Sequence, residues 1–349
     1  MTVLSDRVLN RTTLERQLLL SRAEATPMDV LRLLVGLQGQ DAELPYVGLW
    51  NRIAGFAMRD LASLLETKQV ARATLFRCTQ HVLPADDYAW IRPLLQPLLD
   101  KMCKTFFGQY VAGADQDELT SMAAKLLDGR TLSRPELGRA LAERWPEHEG
   151  VWLARAAQVA LPIVHPYPDG RWGFRGPTPF ASAEQWLGRP FRSGTLTDLV
   201  LRYLAGFGPA SVRDMQSWSG LTRLRPVFEE LRPRLVSYRS EHGAELFDLP
   251  DRPLADPDQP APVRFLAGFD NVTFGYADRR RIIADEHRPV LVERAALTID
   301  GYVRGSWKIR AGGIDIRFFD RVTSAERTAV EAEAEALRAF TGAESVAFP

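Results

Sequence analysis

The chain has 349 residues, 46% of them apolar and 25% charged, with 44 basic and 44 acidic side chains. That length excludes one ordinary domain and fits two to four compact units, while the mixed composition excludes wholesale disorder. Zero net charge excludes a uniformly basic nucleic-acid coat, so any contact with DNA must be a local basic face.

Residues 1–7 carry no basic-then-apolar leader, and no apolar run approaches the roughly 20 residues of a membrane-spanning helix. A cytoplasmic, nucleoid-associated protein with no membrane partner is expected. Residues 13–21 predict a short helix. Thr26 and Pro27 then supply an N-cap and a first helical position, and Met28, Leu31, Leu34 and Val35 recur with the helical period. Two more helices are expected over 45–53 and 61–66, followed by extended runs at 71–76 and 79–83. Helices closed by a small hairpin outline a winged helix. Residues 86–110 predict a long amphipathic helix that Pro93 and Pro97 should kink or break.

The pattern returns. Helices are expected at 117–127, at 133–144 behind the capping-box pair Ser133 and Glu136, and at 151–161. A wing hairpin over 163–174 follows, with Pro168, Asp169 and Gly170 at its tip. A third round predicts helices at 196–204, 211–218 and 222–231, the last capped by Thr222, and a wing over 235–249 around His242 and Gly243. Residues 205–231 make a helix-turn-helix candidate, with a turn at Gly220 and Arg223 and Arg225 near the start of its second helix. Seven arginines face three acids between residues 202 and 239, which fits either a DNA-facing surface or a solvated helix face. A linker rich in proline and aspartate, 249–262, precedes a stretch of period two. Strands are expected there at 263–269, 272–276, 289–294, 296–299, 302–309 and 314–319. Thr323, with Glu326 at N3, caps a last helix over 325–340. The expected fold is α+β: tandem winged-helix (helix-turn-helix) modules at 1–112, 113–192 and 193–250, then a small β-barrel-like domain with a terminal helix at 251–349.

Cys78 and Cys103 lie far apart and the five histidines form no metal-binding spacing, so no metal and no cofactor are expected. The most informative stretch is Leu33-Leu34-Val35-Gly36-Leu37-Gln38-Gly39-Gln40-Asp41. Six further blocks accompany it: Arg77-Cys78-Thr79-Gln80-His81, Trp186-Leu187-Gly188-Arg189-Pro190, Phe207-Gly208-Pro209-Ala210, Trp218-Ser219-Gly220-Leu221, Leu246-Phe247-Asp248-Leu249-Pro250 and Phe269-Asp270-Asn271. In these the chain resembles the AlkZ/YcaQ family of winged-helix DNA glycosylases, over about residues 10–340. That family shares a Gln-x-Gln or Gln-x-Asp catalytic motif near the N-terminus. The resemblance implies Gln38 and Gln40 as catalytic residues, and duplex DNA carrying alkylated purines, bulky or crosslinking N7-guanine adducts included, as the substrate. The middle position, usually alanine or an aliphatic residue, is Gly39 here, which adds backbone freedom.

The spacing has its own content. Residues i and i+2 point about 200° apart on a helix, so the two glutamines converge only from extended or helix-terminal backbone. Gly36, Gly39 and Pro45 predict such a break. A carboxamide does not titrate; it can orient water and stabilise a positively charged sugar through its carbonyl oxygen. Capping of helix ends is the other role open to these amides. Asp41 is either a carboxylate beside the motif or a helix N-cap, and His81 either faces the same groove or is structural. Arg279, Arg280 and Arg281 form a phosphate clamp or a solvated turn, and Asp270 and Asn271 are site residues or local turn chemistry. With Arg77, Arg223, Arg225 and Asn271 these arginines make up the expected DNA-binding set. No lysine lies near the motif in sequence, so a monofunctional glycosylase acting as a monomer is expected. A non-enzymatic winged-helix DNA-binding regulator, an adduct-sequestering protein or a protein-contact module are the alternatives.

Overall fold

The computed structural model describes residues 1–348. Strand β1, Val3–Leu4, leads into helix α1, Asp6–Arg16, whose N-cap Ser5 accepts from the Val8 amide. The first recurring unit comprises α2 (Pro27–Leu33), β2 (Leu37–Gln38), α3 (Leu44–Trp50), α4 (Met58–Glu66), β3 (Val70–Thr74) and β4 (Gln80–Pro84). Helix α5, Ala85–Phe107, connects it to the second: α6 (Gln116–Leu126), β5 (Leu132–Ser133), α7 (Arg134–Ala142), α8 (Gly150–Ala160), β6 (Ile163–Val164) and β7 (Pro179–Ser182). After the short α9 (Ala183–Leu187), a third set follows: α10 (Leu196–Phe207), α11 (Val212–Ser219), α12 (Arg225–Leu231), β8 (Val236–Ser240) and β9 (Glu245–Asp248). The C-terminal part holds β10 (Arg264–Phe265), α13 (Asn271–Phe274), β11 (Ala295–Ile299), β12 (Tyr302–Arg310), β13 (Gly313–Phe318), α14 (Ser324–Thr341) and β14 (Ser345–Ala347). The fold is therefore mixed α+β. Among the described residues no helix is long and apolar enough to cross a membrane.

The first two units share one six-stranded sheet, ordered β2-β4-β3-β6-β7-β5. Each contributes a triple with its last strand in the middle, and the triples meet where Ala73 of β3 opposes Val164 of β6. In the third set Ala210 bridges Phe247 of β9, and β1 adds in parallel to β8. Covering the outer edge of β8 with chain from the N-terminus protects a sheet edge that would otherwise pair with other strands. The five-stranded sheet runs β10-β11-β12-β13-β14, so the β-rich C-terminal part, expected as β-barrel-like, is an open sheet with two edges. One apolar cluster joins all three helical sets through residues such as Leu83, Leu137 and Leu199, with Leu95 of α5 between the first two. A second joins α2–α4 to the five-stranded sheet and α14, through Leu31, Trp50, Trp307 and Leu337.

Local chemistry explains where expectation and structure part. Residues 272–276, expected as a strand, begin inside α13, because Asp270 caps the turn by accepting the Val272 amide at 3.0 Å. Residues 289–294, also expected as a strand, fall largely in a 3-10 segment, Asp285–Val292, where Pro289 has no amide to give a ladder. The wing expected over 163–174 is instead two strands with residues 165–178 between them. Helix α5 continues through both prolines. Pro93 frees the carbonyl of Ala89, and the Arg192 amide takes it at 3.0 Å, which removes much of the penalty for an interior proline.

Candidate active site

The motif lies where β2 ends. Gly36 turns the chain into this strand at φ 93°, and a Cβ there would meet Leu83 Cβ and the Val82 carbonyl at 3.0 Å, so only glycine fits. Gln38 pairs in register with His81 and is 7% exposed, whereas Gln40 is exposed at the strand's open end. The break predicted from the glycines is thus a strand end, and both glutamines sit on it. The Gly39 amide donates to the Gln80 carbonyl at 2.8 Å. Gln38 Oε1 accepts from the Gln40 amide, and Gln40 Oε1 from the Gln80 amide, each at 3.3 Å. These long bonds orient the two carboxamides and leave each oxygen a second lone pair.

Arg72, absent from the expected site, holds the motif from below. Its Nε donates to the Gly39 carbonyl at 3.0 Å and its Nη2 to the Gln40 carbonyl at 3.1 Å. Its Nη1 pairs with the buried Asp169. Burial pushes the Asp169 carboxyl up, and Arg72 offsets this only in part. A pair desolvated to that degree contributes little net stability, so its role is positional. The sequence does carry a signal: Arg72 is a lone charge in the apolar strand Val70–Thr74, and a buried charge requires a partner.

Asn271 also braces the motif. It is buried, and its amide donates to the carbonyls of Leu34 and Gly36, at 3.4 and 3.1 Å, instead of facing DNA. Beside it, Asp270 forms a fully buried two-bond pair with Arg52, at 2.7 and 2.8 Å. Asp41 is exposed and is not the N-cap of α3; that position is Glu43, with no side-chain cap bond, because five residues separate β2 from the helix. His81 is buried edge-on to Phe76. Burial, with Arg77 nearby, pushes its pKa down to about 3, so it is a neutral structural ring and not an acid or base at physiological pH.

The expected DNA-binding arginines separate. Arg281 is buried, donates to the Pro209 carbonyl at 3.0 Å and covers the Tyr276 ring, so it cannot reach a phosphate. Arg280 pairs with Asp278 at 2.6 Å, and Arg225 with Glu229 and Glu245 at 2.8 and 3.2 Å. Their charges are already answered. Arg279 lies 4.6 Å over the Phe274 ring, half-buried, and among the described residues no ion pair involves it. Arg77 donates to the Trp218 carbonyl at the end of α11; burial, and then Arg279, push its pKa down to about 10. Arg223 is exposed ahead of α12 in a left-handed turn, φ 60°. Lys308, remote from the motif in sequence, lines a cleft that Asp41 also lines. At the β8–β9 turn, Glu241 and His242 meet Asp6 of α1 with ligand atoms within 4.8 Å of one another, and His242 Nε2 is hydrogen-bonded to Asp6 at 2.9 Å.

The arrangement offers two non-titrating amides, fixed through backbone bonds, at the end of a strand where Gln40 is exposed. The model of the family described as DNA glycosylase AlkZ-like matches residues 31–340. An interstrand DNA cross-link repair glycosylase of Streptomyces sahachiroi is 26% identical over 329 residues, 85% of this chain and 85% of the relative. The solved structure of Streptomyces sahachiroi DNA glycosylase AlkZ has the same fold, with a TM-score of 0.77 over 99% of both chains at 22% identity.

Proposed function

Because the chain belongs to the AlkZ-like family of DNA glycosylases, we propose that it hydrolyses the N-glycosidic bond of cationic N3- or N7-alkylated purines in duplex DNA. The observation that carries this reading is the pair Gln38 and Gln40 at the open end of β2, with its backbone gripped by Arg72. The three recurring helical units are read as tandem winged helices. Duplex DNA lies across them, against Arg223, Arg279 and the edge of Arg77, with the protein acting as a cytoplasmic, nucleoid-associated monomer. The name of the Streptomyces relative supports extending the substrate to crosslinked adducts.

An alkylated purine of this kind is cationic and leaves as a neutral base, so little acid catalysis is needed. The oxygen of water bonds to C1′ as the C1′–N9 bond breaks. The bonding pair discharges the ring, and the proton of the water passes to solvent. Gln38 and Gln40 orient that water and place carbonyl oxygens against the positive charge growing on the sugar, which is electrostatic stabilisation by preorganised dipoles. Neither group changes protonation state.

The test is base release from a duplex carrying one N7-methylguanine, scored as alkali-labile abasic sites. Wild-type protein should generate them and a Gln38→Ala/Gln40→Ala protein should not. Borohydride should trap no protein–DNA adduct, since Lys308 is given no nucleophilic role. Equal release by the double variant would refute the assignment.

A further inference from the structure

The turn after Gln40, helix α3, Trp172, the Phe269 turn and strand β12 enclose a cleft of about 270 Å³. Leu44, Trp172, Phe269, Val292, Trp307 and Ile309 give it apolar walls. Val292 is 66% exposed and Ile309 42%, and among described residues 251–348 these are the two large apolar side chains left open to water. Both face this one cleft, and apolar surface gathered in one concavity marks a binding site. The Phe269 wall is held in a left-handed conformation, φ 57°, between Gly268 and the Asp270–Arg52 pair, so it is fixed in place.

The rim is acidic. Asp41, Glu43 and Glu293 line it; Arg175 takes Glu43 at 2.8 Å, whereas Asp41 and Glu293 are exposed. Two cations also line the cleft: Arg294, already paired with Asp315 at 2.6 Å, and Lys308, which alone opposes the exposed carboxylates of Asp41 and Glu293. Carboxylates repel phosphates, so the cleft is unsuited to the DNA backbone. An apolar group attached to a positively charged base satisfies both the walls and the rim. At about 270 Å³ the cleft falls just below the roughly 300 Å³ at which small-molecule sites begin, which suits an appended group and not a whole nucleotide.

We propose that this cleft is a subsite for the apolar, ring-bearing substituent of a cationic N-alkylpurine, held there while Gln38 and Gln40 face the sugar. This rests on the glycosylase reading and says where in the fold the substituent of a larger adduct is held, with methyl adducts still accepted but bound more weakly.

The experiment compares binding of two duplexes that differ only in carrying N7-methylguanine or N7-(naphthylmethyl)guanine. Each is titrated with wild type and with a Val292→Ser/Ile309→Ser variant, whose changed side chains are exposed and uncharged and whose folding a thermal melt checks. Each buried methylene should strengthen binding about fourfold, so wild type should prefer the naphthylmethyl adduct by roughly tenfold or more. The variant should lose that preference while binding and releasing N7-methylguanine like wild type. Equal affinity of wild type for the two adducts, or an unchanged preference in the variant, overturns the proposal. Affinity is read without turnover, so failure to release either base refutes the glycosylase reading and leaves the subsite to be judged on binding.

Discussion

Replacing Arg72 by methionine removes the guanidinium under the motif while keeping most of its apolar length. Asp169 is then buried without its cation, and breaking such a pair from one side costs about 3–5 kcal/mol. That is a large share of the about 5–15 kcal/mol by which proteins are ordinarily stable. Adding Asp169→Asn removes the stranded charge, so most of the lost stability should return. The second change cannot restore the 3.0 and 3.1 Å bonds to the carbonyls of Gly39 and Gln40. Bonds from a charged donor contribute about 1.5–3 kcal/mol each, and a reacting group displaced by ~1 Å loses about 10²-fold in rate. The Arg72→Met/Asp169→Asn protein should therefore unfold in urea at a midpoint between those of Arg72→Met and wild type, and bind alkylated duplex normally while folded. Its single-turnover base release should be about 10²-fold slower. A folded double variant with the wild-type rate would refute the bracing role.

Gln38→Ala or Gln40→Ala should each slow base release by about 10²–10³-fold at nearly unchanged affinity for damaged DNA, and the wild-type rate should be flat from about pH 6 to 9; a bell-shaped profile would return catalysis to Asp41. His81 and His165 are buried with pKa values pushed down to about 3, so the unfolded chain binds the extra protons. Stability from these rings is complete above about pH 6.5 and is lost as pH falls from there towards 3, which urea midpoints across that range should show, with a shallower slope in His81→Gln. Arg223→Ala should reduce the salt dependence of DNA binding by about one unit, whereas Arg225→Ala, already paired with two carboxylates, should leave it unchanged. Arg281→Gln should lower the melting temperature without altering the salt slope, because its guanidinium is spent on Pro209 and Tyr276.

The features legible in the sequence are those fixed within a few residues. Thr26, Ser133 and Thr323 close capping boxes where their spacing to Asp29, Glu136 and Glu326 places them. The hairpin of β8 and β9 turns at Gly243 as its glycine signals. The Gln38–Gln40 spacing demanded a break in helix, and the strand end supplies it. What escaped depends on contacts remote in sequence. Three consecutive arginines look equivalent as text, yet one stacks on Phe274, one pairs with Asp278 and one is buried against Pro209. Successive side chains leave a turn in different directions, and only the packing decides which reaches water. Arg72 and Asp169 stand 97 positions apart, and Asn271 reaches back 235 to Gly36. Strands β1 and β14 are too short to show a period of two, and they form only because an edge awaits them.

The six-stranded sheet places two sibling units strand to strand, and they differ at one telling place. In the second unit β5 ends at Ser133 and α7 begins at Arg134, sealed by the Ser133–Glu136 box. In the first, residues 39–43 intervene between β2 and α3. Gln40, whose amide is proposed as catalytic, sits in that extra stretch, so the proposed site reads as a small elaboration on one of two similar units, the other of which has its strand-to-helix junction shut. Chemistry here is separable from architecture. On the proposed assignment, shortening residues 39–43 to match the sibling would remove Gln40 and leave Gln38 alone at the strand end, and the Ser133–Arg134 junction is the corresponding place at which a redesigned chain would be lengthened.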